Sequence, residues 1–313
     1  MRILVLGAGG TGGYFGGRLA HSGADVTFLV RPARAAQLEA RGLQIRSPLG
    51  DADFRVAYVV AEDLVALAAE NPFDLVLLSC KAYDLGSSLD AIAPAMSPQQ
   101  TSVMPILNGL LHYAALDARF GHERVLGGLC FISATKGAQG EILHLGRPAS
   151  MTFGERSGQQ ASQHLAELAR LCATAGIDHQ HANEIAQAQW IKYSFLTALA
   201  AGTCLMRASV GDIIATAGGT EFMTGLYAEC VAVAAAAGQA IPEKAQGIAL
   251  GALTQAGSDV KASMLRDLEA GQRVEAAHIV GDMLQRARAS ALSAPLLATA
   301  WSHLQAYEMQ RSH

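Results

Sequence analysis

The chain has 313 residues, 51% of them hydrophobic and 16% charged, which suits two domains with substantial cores and excludes a disordered protein. A formal net charge of −4 argues against nonspecific nucleic-acid binding. The five cysteines, Cys80, Cys130, Cys172, Cys204 and Cys230, have neither metal-ligand nor redox-motif spacing, so free thiols in a reducing cytoplasm and no metal site are expected. Met1-Arg2 leads straight into a strand, which reads as the absence of a signal peptide. The apolar run over 195–205 is too short for a membrane span. A cytoplasmic protein without membrane contact is therefore expected.

Residues 1–31 set the architecture. Ile3 to Leu6 is a short continuous apolar run, as in a strand buried on both faces of a parallel sheet. Gly7, Gly9 and Gly12 then fit Gly-x-Gly-x-x-Gly, an apolar-stippled helix follows, and residues 25–30 read as a second strand. Gly7 permits the tight turn, Gly9 lets the backbone approach a pyrophosphate, and Gly12 lets the helix pack close to the strand. The helix N-terminus adds unpaired N–H groups and the positive end of its dipole. The motif alone is weak, but its setting between a strand and a helix makes it a dinucleotide-binding turn.

Arg31 stands at the tip of the second strand. An NAD enzyme carries Asp or Glu there for the ribose hydroxyl, whereas an arginine accommodates the 2′-phosphate of NADP. With no acid beside Arg31 in the sequence, NADP (as NADPH) is the expected cofactor. Arg34, one turn on, is either a second charge for that phosphate or a solvated surface arginine.

A short helix through Leu38 follows, then strands at 43–45 and 54–57 joined by a turn at Pro48-Leu49-Gly50. Residues 74–79 form another buried parallel strand and deliver Cys80-Lys81 at its carboxyl end; residues 102–107 form the next and deliver Asn108-Gly109. Ligands of doubly wound sheets bind outside these carboxyl ends, so the glycine turn, Lys81 and Asn108 are expected to share one crevice. Runs at 125–134, 142–145 and 150–153 read as strands extending the sheet, and 161–175 as an amphipathic helix. From Asn183 onward helices are expected over 184–201, 218–237, 245–253, 263–269, 275–289 and 294–310. The expected organisation is an α/β chain. A Rossmann-type doubly wound sheet occupies 1–182 and an all-α C-terminal domain occupies 183–313.

Lys192, in Trp190-Ile191-Lys192, sits in a helix that is otherwise apolar at Tyr193, Phe195, Leu196, Ala198 and Leu199. Burying its charge is costly. Either it snorkels to solvent, or it faces a cleft between domains where a desolvated ammonium can transfer a proton. Over residues 261–275, Ser263 is placed to cap a helix. Asp267 and Glu275, taken singly, fit solvated faces.

Together these motifs resemble one family, the ketopantoate reductases (2-dehydropantoate 2-reductases). The shared features are the glycine turn, Lys81 after the central strand, Asn108-Gly109 after the next, and a Trp190-x-Lys192 helix. The last is a Ser263-Met264-x-x-Asp267 block followed by Glu275. They occur in order over nearly the full length. The resemblance implies a Rossmann domain and a helical domain of the 6-phosphogluconate-dehydrogenase C-terminal type. It implies NADPH-dependent reduction of a 2-oxo acid to a 2-hydroxy acid, ketopantoate to pantoate in pantothenate biosynthesis. Lys192 would then be the general acid, with Glu275 holding substrate and lysine in place. Asn108 and Ser263 would bind substrate, Ser263 near its carboxylate. Lys81 would contact cofactor or substrate at the mouth of the crevice, and Asn108 the cofactor as well. The chemistry is coherent: it needs a hydride donor, a proton donor and a carboxylate anchor but no metal, and a protonated lysine also stabilises a developing alkoxide.

One departure stands out. Four and eight residues past the lysine, on the same helix face, the family usually carries asparagines; here these positions are Leu196 and Ala200. An apolar wall binds a substrate hydroxyl poorly, which points to a shifted substrate. Ser194 and Thr197 lie off that face. A 3-hydroxy-acid dehydrogenase of the same plan is an alternative, but Leu196 counts against it too. A nonenzymatic NADPH-binding regulator has no need of Lys192 together with Glu275. A homodimer is compatible with the sequence.

Overall fold

The computed structural model describes residues 1–98 and 100–311. The chain divides into two compact units: Met1–Leu107 with His112–Ile185, and Asn108–Leu111 with everything from Ala186 onward. Each unit has its own hydrophobic core.

The first unit opens with β1 (Arg2–Leu6), α1 (Gly10–His21), β2 (Asp25–Leu29) and α2 (Pro32–Arg41). It continues through β3 (Leu43–Arg46), β4 (Ala52–Phe54), β5 (Ala57–Val59), α3 (Ala61–Glu70), β6 (Leu75–Leu78), α4 (Leu85–Ile92) and β7 (Ser102–Pro105). Then come α5 (His112–Phe120), β8 (Gly127–Lys136), β9 (Ile142–Gly154), α6 (Gln163–Thr174) and β10 (Asp178–His181). One sheet, ordered β5-β2-β1-β6-β7, is parallel throughout. Its central strands are apolar on both faces: Ile3, Leu4, Val5, Leu75, Val76 and Leu77 are all 0% exposed, as a sheet covered on both sides requires. This is the Rossmann-type doubly wound arrangement. Strand order reverses between β1 and β6, so the turn leaving β1 lies at the switch point where ligands bind in such sheets.

Three strand expectations need correction. The run at 54–57 is not one strand: β4 pairs antiparallel with β3, the chain breaks at Arg55-Val56, and β5 joins the other sheet beside β2. Apart from one parallel bridge between Val125 and Val103 of β7, the strands at 125–134, 142–145 and 150–153 do not extend the first sheet. They build a second one, ordered β10-β9-β3-β4 with β8 on β9. Within it, 142–145 and 150–153 are one strand, β9; Gly146 (φ +107°) and Pro148 sit where the β8–β9 register shifts, so the bulge absorbs both strand breakers. Helix α1 packs between the two sheets. A Cβ at Gly16 would run into Val5 and Phe28, and one at Gly17 into Leu43 and Ile45.

The second unit is helical: α7 (Ile185–Met206), α8 (Val210–Ile214), α9 (Gly219–Ala236), α10 (Glu243–Leu253) and α11 (Ser263–Glu269), then α12 (Asp282–Ala289) and α13 (Pro295–Arg311). α7 is buried over most of its circumference, packing Tyr193, Leu199 and Cys204 into a core with Met223, Leu226, Leu265 and Met283. The helix expected over 275–289 has two parts, a π-helical turn at Ala277–Gly281 and then α12. Cys130, Cys172, Cys204 and Cys230 are buried thiols outside any disulfide, and burial pushes Cys172 and Cys204 up to about 12. Among the described residues no helix is long and apolar enough to cross a membrane, and no cluster of His, Cys, Asp or Glu could hold a metal ion.

Candidate active site

The glycine turn leaves open space at the N-terminus of α1. Gly7 takes φ +87° and its N–H bonds to the Leu29 carbonyl at 2.9 Å, tying the turn to the end of β2. Gly9 caps α1 without a side chain, and no acid occupies the first turn of the helix. The three glycines do different work. A Cβ on Gly7 or Gly9 would meet nothing within 4 Å, so the space before the turn is open. A Cβ on Gly12 would collide with Ser79 Oγ and lie 2.6 Å from the Gly7 carbonyl oxygen, so that glycine serves the packing of α1. An open, Cβ-free cradle at an uncapped helix N-terminus fits a dinucleotide pyrophosphate.

Arg31 lies at the carboxyl end of β2 with its side chain 83% exposed, and pairs with Asp84 at 3.4 Å. The sequence places no acid beside Arg31; the fold supplies one from 53 positions away, at the end of the short 3₁₀ turn Ala82–Asp84 that Lys81 caps. An exposed pair of this kind is worth about 0–1 kcal/mol, so it leaves the guanidinium free to change partners. Lys81 itself is half-buried. Arg34 is not a solvated surface arginine. Its Nε donates to the Ala8 carbonyl of the glycine turn and its Nη1 to Gln37 Oε1, both at 3.1 Å. Burial pulls its guanidinium below the usual range, partly offset by Glu141.

The helical unit carries the second cluster. Lys192 is 8% exposed and its Nζ donates to Asn108 Oδ1 at 3.0 Å. Its ammonium therefore ends on a protein partner rather than snorkelling into bulk water. Asn108 follows a strand of the sheet unit in sequence, yet Asn108–Leu111 belongs to the helical unit. Glu275 is buried, two residues before the π-helical turn, and its carbonyl accepts the N–H groups of His278 and Ile279. Ser263 is the first residue of α11 and is exposed; Ala262 is the cap residue and no side chain caps the helix, so the capping role expected of Ser263 is not taken up. Leu196 is half-buried and Ala200 buried. Ser194 and Thr197 are each 0% exposed with hydroxyls that find no partner among the described residues. Neither can offer a hydroxyl to a ligand arriving from solvent.

Sequence reasoning misses a set of residues around Lys192. Tyr193 Oη donates to Asp282 Oδ2 at 2.8 Å and lies 3.0 Å from the Ile279 carbonyl. Arg286 Nε donates to the same carboxylate at 2.9 Å, and its guanidinium lies 5.4 Å from the centre of the Trp190 ring. Burial and the neighbouring Asp282 carboxylate push the Tyr193 phenol well above its ordinary range. The available signal was an aspartate and an arginine four apart following a helix start.

Two family models cover nearly the whole chain. Residues 3–158 match the ketopantoate reductase PanE/ApbA model and residues 184–308 its C-terminal partner. Over 311 residues the chain is 36% identical to YkpB, an uncharacterized oxidoreductase of Bacillus subtilis (strain 168), covering 99% of this chain and all of that one. It is 28% identical over 300 residues to the 2-dehydropantoate 2-reductase of Mesorhizobium japonicum, covering 88% of each. The crystal structure of 2-dehydropantoate 2-reductase from Methylococcus capsulatus superposes with a TM-score of 0.88 at 30% identity, over 100% of this chain and 98% of that one.

Proposed function

The chain belongs to the PanE/ApbA ketopantoate reductase family, an oxidoreductase family acting on a CH–OH group with a nicotinamide dinucleotide, and on that premise we propose that it reduces a 2-oxo acid to the 2-hydroxy acid with NADPH. The observation that carries this reading is Lys192, a buried ammonium fixed at 3.0 Å to Asn108 within an apolar helix. When bound, the dinucleotide supplies the hydride. The open glycine turn at Gly7, Gly9 and Gly12 holds its pyrophosphate against the N-terminus of α1. Arg31 gives up its exposed pair with Asp84 to take the 2′-phosphate. Lys81 contacts the cofactor.

The rest of the chemistry belongs to the helical unit, which we assign to residues 183–313 beside a dinucleotide-binding domain over 1–182. The Lys192 ammonium donates to Asn108, which fixes its direction. It protonates the substrate's carbonyl oxygen as the hydride arrives at carbon, and its charge stabilises the developing alkoxide. Glu275 holds lysine and substrate in place. Asn108 and the exposed Ser263, whose hydroxyl does not cap α11, bind the substrate, Ser263 at its carboxylate.

Ketopantoate is the reference substrate, but the apolar positions Leu196 and Ala200 favour a bulkier or less hydroxylated 2-oxo acid. The test is to follow NADPH consumption across a panel of 2-oxo acids that includes ketopantoate. Turnover of at least one, with ketopantoate among the poorer, is expected. No turnover of any would refute the activity, and ketopantoate as the best substrate would refute the part assigned to Leu196 and Ala200.

A further inference from the structure

We propose that Tyr193 and Asp282 are positioning residues for this reaction, acting through the π-helical turn at Ala277–Gly281 to hold the Asn108-Gly109 segment against Lys192. The inference rests on the role given above to Lys192. It follows from a closed ring of contacts, all within the helical unit. Lys192 bonds to Asn108. The next residue, Gly109, has φ +79° and passes so close to the π-helical turn that a Cβ there would lie 2.5 Å from the His278 carbonyl oxygen. The turn is then held one residue further on, where Tyr193 reaches the Ile279 carbonyl and the Asp282 carboxylate. Tyr193 neighbours Lys192 on α7, which closes the ring.

A π-helical turn is rare and gathers at functional sites, because the wider winding is kept only where something else secures it. Here the securing group is buried and charged. Tyr193 is 2% and Asp282 5% exposed, and the single phenolic proton is shared between the carboxylate and the Ile279 carbonyl. Arg286, held over Trp190, balances the carboxylate's charge. A carboxylate so placed is costly unless fully partnered. Stapling α7 to α12 needs no such charge, since the surrounding core is apolar. What the arrangement does beyond stapling is fix the height of the His278 carbonyl, against which the chain carrying Asn108 rests.

The experiment compares the native chain with Tyr193→Phe, Asp282→Asn, Asp282→Ala and Gly109→Ala. It measures kcat and KM on a substrate the native chain reduces, NADPH affinity, melting temperature, and amide hydrogen exchange over residues 107–111. Misplacing a reacting group by about 1 Å can cost about a hundredfold. Tyr193→Phe should therefore lower kcat about tenfold or more and speed exchange at Asn108 and Gly109, with NADPH affinity unchanged. Asp282→Asn keeps an acceptor for the phenol and should retain more kcat than Asp282→Ala. Native kcat and native exchange over 107–111 in Tyr193→Phe would overturn the proposal, whatever the melting temperature. If that variant does not fold, Gly109→Ala carries the test on the same two readouts: both altered supports it, both native overturns it. If the native chain reduces no 2-oxo acid, the functional reading fails and the exchange measurement alone decides this one.

Discussion

Replacing Lys192 with alanine removes the proposed proton donor and its positive charge from one point, together with the hydrogen bond to Asn108. The lost hydrogen bond at 3.0 Å leaves Asn108 Oδ1 unpaired on a half-buried residue that water can reach, so the penalty falls at the low end of the roughly 1–3 kcal/mol seen for orphaned buried groups. Alanine's better helix propensity returns a few tenths of a kcal/mol within α7. The variant should therefore fold. NADPH affinity should be nearly native, because the proposed pyrophosphate and 2′-phosphate contacts, Gly7, Gly9 and Arg31, do not include Lys192. Loss of a general acid costs about 10² to 10⁴ in rate, and the alkoxide loses its countercharge as well, so kcat should fall about a thousandfold or more, about 4 kcal/mol of transition-state stabilisation. The assay is steady-state NADPH consumption over a pH range, with cofactor titration and thermal melting as controls. The alkaline fall in kcat should disappear with the lysine. A folded variant that keeps kcat within about threefold of native, with the alkaline fall intact, would show that another group delivers the proton and that Lys192 is a buried structural lysine.

Arg31→Ala should erase most of a preference for NADPH over NADH of about tenfold, or about 1.4 kcal/mol, while leaving melting unchanged because its pair with Asp84 is exposed; equal cofactor affinities in the native chain would refute the assignment. Gly9→Val should fold, since a Cβ there meets nothing within 4 Å, yet fail to bind the dinucleotide in a fluorescence titration; native affinity would move the phosphate site elsewhere. Asp117→Asn tests a structural pair: Arg156 grips the Asp117 carboxylate at 2.6 and 2.9 Å and holds it below the usual range. A depressed carboxylate stabilises the fold above its unfolded value of about 3.9 and loses that contribution as pH falls through its folded value. Asp117→Asn should thus be less stable than native at neutral pH, with the gap closing below about pH 4 in urea melts; a gap independent of pH would refute this.

What the sequence made legible, and what it did not, divides along one physical line. Patterns set by neighbours in the chain were readable: β1, the glycine turn and α1, and the bounds of α11, follow from local apolar runs and turn residues. Arrangements set by residues far apart were not. Nothing in the run from Phe54 to Ala57 says that its two ends serve different sheets. Nothing near Arg31 announces Asp84, and nothing near Arg34 announces that it reaches back to the Ala8 carbonyl. Short helices such as α4, eight residues between 3₁₀ turns, offer too few periods to detect. At the candidate site the residue types of Lys192, Asn108 and Glu275 stood out through their combination. The bond joining the first two is visible only once the fold brings positions 84 residues apart together.

The chain leaves the sheet unit after Leu107, gives Asn108–Leu111 to the helical unit, and returns at His112. This excursion decides what can be cut and recombined. A fragment beginning at Ala186 would carry Lys192, Glu275 and the π-helical turn, but no asparagine for the lysine and no Leu110 for its core. A gene fusion that swapped the helical half onto another sheet half would inherit Lys192 without Asn108, unless the recipient happened to present the same dipeptide after the corresponding strand. The two halves are thus a poor pair of interchangeable parts: lineages that shuffled them at the obvious junction would lose the lysine's partner at once, and split or permuted versions must keep the loop that follows β7 with the helices it serves.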